Sequence, residues 1–450
     1  MDFLISFLRG AGGIVLLLGV AFLVSNNKKK INWRLVATGI GMQVVFAIFI
    51  IHSETLRSWF FPLGWPKDVI NWLGSAIVSL LNFTMEGAQF VFGNLSKSSG
   101  AGSLGFFFAF QVLPTIIFVS CLTSILYYLG ILQLVVKGMA WIMAKLLGTS
   151  GAESLSNTAN IFVGQTEAPL LIRPYIEKMT NSELYTIMVG GMATIAGGVM
   201  ASYIQMLGQT FAEVQKIPID QAQIKFAVQL LAASVMAAPA SLAISKVIFP
   251  ETEEPATKGT VKLKVDKNAS NVIEAAATGA GDGLQLALNV GGMLLAFIAL
   301  IALINYVFTG FGNLVGINNY LIATYGQPLS LQLIFGMVLQ YLAVGIGVPW
   351  HDAFNFGSLI GTKVVLNEFV AYVDLTKIMT SGGMTPKGMM MATYALCGFA
   401  NFSSIAIQIG GIGQMAPSRK KDIASLGLKA VLGGTLATLM TATLAGILVQ

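Results

Sequence analysis

The chain has 450 residues, 26 of them Lys or Arg and 20 Asp or Glu, so 10% are charged against roughly 25% in soluble domains. With 55% hydrophobic residues, a soluble fold would lack the charge to cover its surface, and two cysteines, Cys121 and Cys397, exclude a disulfide scaffold. The formal net charge of +6 is gathered in short clusters between apolar runs, a pattern of membrane orientation signals and not of a nucleic-acid surface.

Eight apolar runs are long enough to cross about 30 Å of hydrocarbon: residues 3–25, 35–51, 106–128, 184–206, 226–249, 284–308, 390–415 and 426–448. The first follows Asp2 instead of a basic region and has no small-residue cleavage site, so it reads as a retained span. Lys28, Lys29, Lys30 and Arg34, then Lys258, Lys262, Lys264 and Lys267, then Arg419, Lys420 and Lys421 assign three connections to the cytoplasmic side of the inner membrane. Both termini and the uncharged loop 310–330 then fall outside. Residues 67–94, where Lys67, Asp68, Trp72 and Glu86 interrupt an apolar majority, read as an interfacial amphipathic helix.

Two segments, 151–180 and 351–380, are apolar but carry charges and chain breaks halfway, and both read as re-entrant helical hairpins. In the first, Gly164 permits the turn, Thr166 serves as cap of a second arm, and Pro169 suits that arm's first turn. In the second, Asn367 caps the arm that holds Phe369 to Asp374. Irregular backbone at membrane depth is tolerated only against protein or a water-filled cavity, so the tips should line a site, with the free amides of the second arm facing it.

The hairpins belong to an internal repeat. Leu132-Gln-Leu134 recurs as Leu331-Gln-Leu333, Glu167 answers Glu368, Lys178-Met-Thr180 resembles Ile378-Met-Thr380, and the closing spans begin near Phe226 and Leu426. Each unit contains three full crossings, so the second copy must enter from the opposite face, an inverted repeat of the kind secondary transporters use. The chain thus divides into an N-terminal scaffold segment 1–104, a first unit 105–250, a cytoplasmic loop 251–283 and a second unit 284–450. Each unit also has an interrupted span, at Thr194-Ile-Ala-Gly-Gly198 and at Gly398-Phe-Ala-Asn-Phe-Ser-Ser404. Local unwinding there would free oxygens for a ligand and a coupling ion; close helix packing through small residues is the structural alternative.

Gly164-Gln-Thr-Glu-Ala-Pro-Leu-Leu-Ile-Arg-Pro-Tyr175, Asn367-Glu-Phe-Val-Ala-Tyr372 and Gly398-Phe-Ala-Asn-Phe-Ser-Ser-Ile405 resemble the signature segments of the concentrative nucleoside transporter family, as does Gly279-Ala-Gly-Asp-Gly283. The resemblance covers roughly residues 100 to 450. It implies an all-α polytopic homotrimer in which a transport domain moves, elevator-like, against a scaffold. It also implies that Gly164, Gln165, Thr166 and Glu167 at the first tip, with Val199, meet the nucleobase. Glu368, Asn401 and Ser404 would meet the ribose hydroxyls, with Phe399 beside them. Sodium would lie among Asn160, the carbonyl of Val163, Thr194 and the carbonyl of Ile195, oxygen donors that a hard cation prefers. A proton carried by a buried carboxylate such as Glu167 is the alternative driving ion.

Other readings account for less. A purely structural pair of Glu167 with Arg173 is disfavoured, because residues six apart do not share a helical face. Gly279-Ala-Gly-Asp-Gly283 fits an intramembrane aspartyl protease, yet no span supplies the second aspartate; Asp282 reads instead as an acid near a helix N-terminus. His52 and His351 have no partners at metal-ligand spacing, and both cysteines read as packing residues. A passive channel conflicts with hairpin tips that block a continuous path. Carrier function without enzyme activity or organic cofactor is the expectation.

Overall fold

The computed structural model describes residues 2–97, 102–257 and 269–448, and among these every regular element is helical. The N-terminal part comprises α1 (Asp2–Leu23), α2 (Trp33–Ile51), α3 (Ser53–Trp59), α4 (Trp65–Phe92) and the single turn α5 (Phe108–Gln111). A first unit follows with α6 (Leu113–Tyr128), α7 (Ile131–Leu147), α8 (Gly151–Ala159), the short α9 (Arg173–Ile176), α10 (Asn181–Ala193), α11 (Gly197–Gln215) and α12 (Ile219–Ile248). The second unit holds α13 (Val272–Leu314), α14 (Asn318–Tyr325), α15 (Leu331–Gly345), α16 (Trp350–Val365), α17 (Glu368–Ser381), α18 (Pro386–Leu396), α19 (Phe402–Met415) and α20 (Lys420–Leu448). Apart from α14, it repeats the first unit in order: two helices, two-armed hairpin, broken pair, closing helix.

Eight helical stretches among the described residues are long and apolar enough to cross a membrane. Seven coincide with runs expected from the sequence. The eighth, Phe61–Ser96, has the lowest hydropathy of the set, 1.2. It contains α4, whose buried Gly74, Val78, Leu81, Thr84 and Ala88 form one stripe. The expected run 390–415 is absent from the eight because the chain breaks between α18 and α19 into two halves too short to cross alone.

The closing helices α12 and α20 pack on each other and on α10 and α18. Small buried residues such as Ala233, Ser234, Ala437 and Thr441 let these backbones approach, the usual basis of helix association in lipid. α13 runs along α6. Its Gly279 and Gly283 face that helix, where a Cβ would lie 2.5 Å from Ser124 Cβ and 2.8 Å from Ile117 Cα respectively. The glycines of the Gly279–Gly283 motif therefore serve close packing. Asp282 lies well inside α13, which starts at Val272, so the expectation that it complements a helix N-terminus fails; that effect decays within the first turn.

The basic connections gather at one end of the molecule. The Asn26 amide donates to the Ile248 carbonyl (2.8 Å), Lys429 Nζ donates to Asn26 Oδ1 (3.3 Å), and the Arg419 guanidinium donates to the Met179 carbonyl (2.5 Å) and Asn181 Oδ1 (2.7 Å). The end of α1, the start of α10, the end of α12 and the start of α20 thus share a face. Lys258, Lys262, Lys264 and Lys267 lie outside the described residues.

Candidate functional site

The first hairpin is anchored by a capping box. Ser150 Oγ accepts from the Glu153 amide (3.3 Å), and Glu153 Oε1 accepts from the Ser150 amide (2.8 Å). α8 ends at Asn160, and the chain turns through Gly164. The second arm differs from expectation. It is a 3-10 turn, Ala168–Ile172, with Pro169 in its first turn, followed by α9; its N-cap position is Glu167 and no side chain caps it. Thr166 is therefore not a helix cap. The amides of Glu167 and Ala168 are also committed locally, both donating to the Gly164 carbonyl (3.1 and 3.0 Å). At Gly164 a Cβ would lie 2.1 Å from Glu167 Oε2: the carboxylate folds back over the tip. No ion pair joins it to Arg173 among the described residues.

The second hairpin follows the sequence more closely. Asn367 Oδ1 accepts from the Val370 amide (2.9 Å) and caps α17, so Glu368 opens the arm at the tip. At the hairpin's base, buried Asp352 accepts from the Thr385 amide (2.9 Å) and from the Thr385 hydroxyl, the residue that caps α18. Asp352 thereby fastens hairpin to broken helix, while the neighbouring His351 ring stays exposed, with Nδ1 3.1 Å from Asp352 Oδ1.

Both spans break where interruption is expected, with one shift in the first. α10 ends at Thr194, the chain is extended at Thr194 and Ala196, and the paired glycines 197 and 198 open α11 instead of lying in the gap. The Gly197 amide donates to the Phe162 carbonyl (3.1 Å), tying the first break to the first tip. In the second break Asn401 caps α19, accepting from the Ser404 amide (2.9 Å). The two breaks cross in contact: a Cβ on Gly398 would lie 2.8 Å from the Ala193 carbonyl oxygen. Backbone there cannot give way cheaply. Gly398→Ala is expected to cost about 1–3 kcal/mol through overpacking and to weaken ligand binding, and an unchanged melting temperature with unchanged affinity would sink this account.

All nine residues expected to meet substrate, Gly164, Gln165, Thr166, Glu167, Val199, Glu368, Phe399, Asn401 and Ser404, line one cleft. Their hydrogen bonds join the two tips through α19. Gln165 Nε2 donates to Ser404 Oγ (3.1 Å), and Asn401 Nδ2 donates to Glu368 Oε2 (2.9 Å). Glu368 is nearly buried; Glu167 is exposed into the cleft.

Two residues not singled out from the sequence complete the network. Tyr203 Oη donates to Glu368 Oε1 (2.9 Å), and Gln408 Nε2 donates to Gln165 Oε1 (3.0 Å) and to the Met188 carbonyl (3.0 Å). Helical spacing was the available signal, since Tyr203 lies one turn beyond Val199 and Gln408 one turn beyond Ser404.

The residues expected to hold an ion lie at the junction of first tip and first break. Asn160 is wholly buried, and neither its Oδ1 nor its Nδ2 has a partner. A buried amide left so is costly unless something coordinates it. Thr194 Oγ1 donates to the Gly190 carbonyl (2.9 Å), which keeps its lone pairs available. With the carbonyls of Val163 and Ile195 this oxygen set fits a hard cation. A second cavity, lined by Ser120, Ser124, Gln133, Thr278 and Asp282 among others, meets the cleft at Glu167. Asp282 is the sole aspartate among its described lining residues.

Three family descriptions match successive stretches: "Na+ dependent nucleoside transporter N-terminus" over residues 12–95, "Nucleoside recognition" over 109–210 and "Na+ dependent nucleoside transporter C-terminus" over 229–446. An uncharacterized transporter of Haemophilus influenzae is 46% identical over 97% of this chain and 96% of its own. Sodium/nucleoside cotransporter 1 of mouse is 40% identical over 97% of this chain and 63% of its own. The solved structure of CNTnw in an inward-facing substrate-bound state is 41% identical, covers 98% of both chains and superposes with a TM-score of 0.83. An outward-facing variant of CNTnw gives the same TM-score, 0.83. Similarity at this level along nearly the whole length, on a shared arrangement of apolar helices, establishes that this multi-pass membrane protein belongs to the concentrative nucleoside transporter family, a family of carriers and not of enzymes.

Proposed function

We propose that the protein takes up nucleosides across the cytoplasmic membrane in symport with sodium. The observation that carries this reading is the state of the Glu368 carboxylate. A carboxylate offers about four lone-pair sites; Tyr203 and Asn401 each take one, which leaves acceptors for a vicinal pair of ribose hydroxyls. Ser404 adds a hydroxyl to the same side, and Phe399 packs beside the sugar. Gln165 is oriented by Ser404 and Gln408, so one N–H and one lone pair remain for the edge of a nucleobase. Thr166 and Glu167 extend that polar edge, and Val199 supports it. Gly164 keeps the tip slim enough for Glu167 to fold back.

Sodium is held by Asn160, the Val163 carbonyl, Thr194 and the Ile195 carbonyl. Because the first tip and first break are tied through Phe162 and Gly197, an ion at Asn160 braces the tip that carries Gln165 and Glu167, and this couples ion to substrate. One cation crossing about 100 mV supplies roughly 2.3 kcal/mol, enough for about a fiftyfold accumulation. Hairpins and broken helices move together as the transport body against α6 and α13 in an elevator-like step, in a homotrimer with both termini outside. Support for alternating exposure comes from a relative solved both inward- and outward-facing.

The test is uptake of radiolabelled uridine and adenosine into proteoliposomes. Accumulation that requires inward-directed sodium is the expected result. Equal uptake with choline in place of sodium under a pH gradient would replace sodium by a proton.

A further inference from the structure

The two halves of the molecule treat their hairpin-to-break junctions differently. In the first half the junction presents Asn160, buried and unpartnered. In the second half a side chain fills it. Lys363 lies near the end of α16, five residues before Glu368, much as Phe162 and Val163 lie five and four before Glu167. It is wholly buried. Its Nζ donates to the Ala395 carbonyl (2.8 Å), in the last turn of α18 just before the second break, and to Thr438 Oγ1 (3.1 Å) on α20. The Thr438 hydroxyl hydrogen is itself committed to the Thr435 carbonyl (3.0 Å), so that oxygen acts as an acceptor toward Lys363.

An ammonium among a helix-end carbonyl and a threonine hydroxyl has the chemistry of a bound alkali cation: unit positive charge and oxygen ligands. The cleft needs such a charge. Among the described residues lining it are two carboxylates, Glu167 and Glu368, and no Lys, Arg or His. Lys363, outside the cleft lining and five residues before Glu368 in the same hairpin, lies within its electrostatic reach. Two negative charges in a largely apolar cavity are then matched by two cations, one drawn from solution at Asn160 and one covalently attached.

We propose that Lys363 is a tethered counter-cation, which takes in the second repeat the place that the first repeat gives to a mobile ion. It keeps Glu368 poised as a ribose acceptor and limits the ion requirement to the single site at Asn160. The mobile half of this pairing rests on the sodium reading above; the tethered half stands on Lys363 and its partners. Lys363 does not line the cleft, so it is a positioning residue.

The experiment measures uridine affinity of the detergent-purified full chain, with and without sodium and with added methylammonium, for wild type, Lys363→Ala and Lys363→Met. Removing one partner of a buried charge pair leaves the other uncompensated, so both variants should bind uridine at least about a hundredfold more weakly. In Lys363→Ala, methylammonium enters the vacated space and restores affinity. In Lys363→Met, which retains the volume, it does not. Lys363→Met also serves if the alanine variant fails to fold, because it retains the side-chain volume and its uridine affinity can be read on whatever fraction is folded. Uridine affinity within about twofold of wild type in Lys363→Met would overturn the proposal, and so would a folded Lys363→Ala that methylammonium does not restore. Failure of the sodium reading looks different: wild-type affinity would be the same in choline as in sodium, whatever methylammonium does to the variant.

Discussion

Glu368→Gln is expected to bind uridine at least about tenfold more weakly than wild type while its melting temperature stays close to wild type. The carboxylate accepts from Tyr203 Oη and Asn401 Nδ2, both at 2.9 Å. Each of these partners has its hydrogen directed at an acceptor. A glutamine would set its own NH2 against one of them and would withdraw at least one acceptor from the ribose. Hydrogen bonds to a charged group contribute about 1.5–3 kcal/mol each, so losing one or two costs roughly one to four orders of magnitude in affinity. Asn401→Ala should act similarly through the same pair, with added loss of the α19 cap, which is worth about 1 kcal/mol. Wild-type uridine affinity in Glu368→Gln, read by equilibrium binding, refutes the ribose assignment.

Asn160→Ala is expected to separate ion binding from folding with an unusual sign. In the wild type, sodium should raise thermal stability, because a ligand that binds only the native state adds about 2.7 kcal/mol at a hundredfold excess over its dissociation constant. The variant loses that increment. Without sodium, however, it should be at least as stable as wild type, because the substitution removes a buried amide whose two polar atoms have no partner, and such groups cost about 1–3 kcal/mol. Melting curves in sodium and in choline read both effects. A variant that is destabilised equally in the two salts would show Asn160 to be an ordinary structural residue, and the coupling site would have to be sought elsewhere.

Lys363 and Asn160 together suggest how one carrier can use its two halves asymmetrically. The repeat supplies two similar junctions between a hairpin tip and an unwound helix. At the first, the buried Asn160 amide has no partner; the second is closed by an ammonium on the Ala395 carbonyl. A transporter built this way draws on the ion gradient through one half and needs no second ion to neutralise the other.

Local features of the site were legible wherever a short-range rule applied. Asn367 capping α17 and Pro169 in the first turn of the second arm both follow from interactions within a few residues. So does the capping of α19 by Asn401, which the sequence placed in an interrupted span without assigning it as a cap. Thr166 misled because a capping residue is indistinguishable by type from a tip residue; the arm that follows it is a 3-10 turn whose N-cap is Glu167. Gly164 does not take a backbone conformation reserved for glycine; it lies where the Glu167 carboxylate folds back over the tip.

What the chain alone determined is the membrane-bound helical class, the repeated order of elements and the identity of the residues at the two tips, because hydropathy, helix breakers and signature segments are properties of contiguous sequence. The tertiary structure decided the partnerships that make those residues a site. Tyr203 reaches Glu368 across 165 residues, Gln165 reaches Ser404 across 239 and Lys363 reaches Thr438 across 75. Such pairings depend on how close small-residue helix contacts bring the two halves together, as where Gly398 crosses Ala193. No local pattern encodes that distance, since it is fixed by packing among helices far apart in the chain.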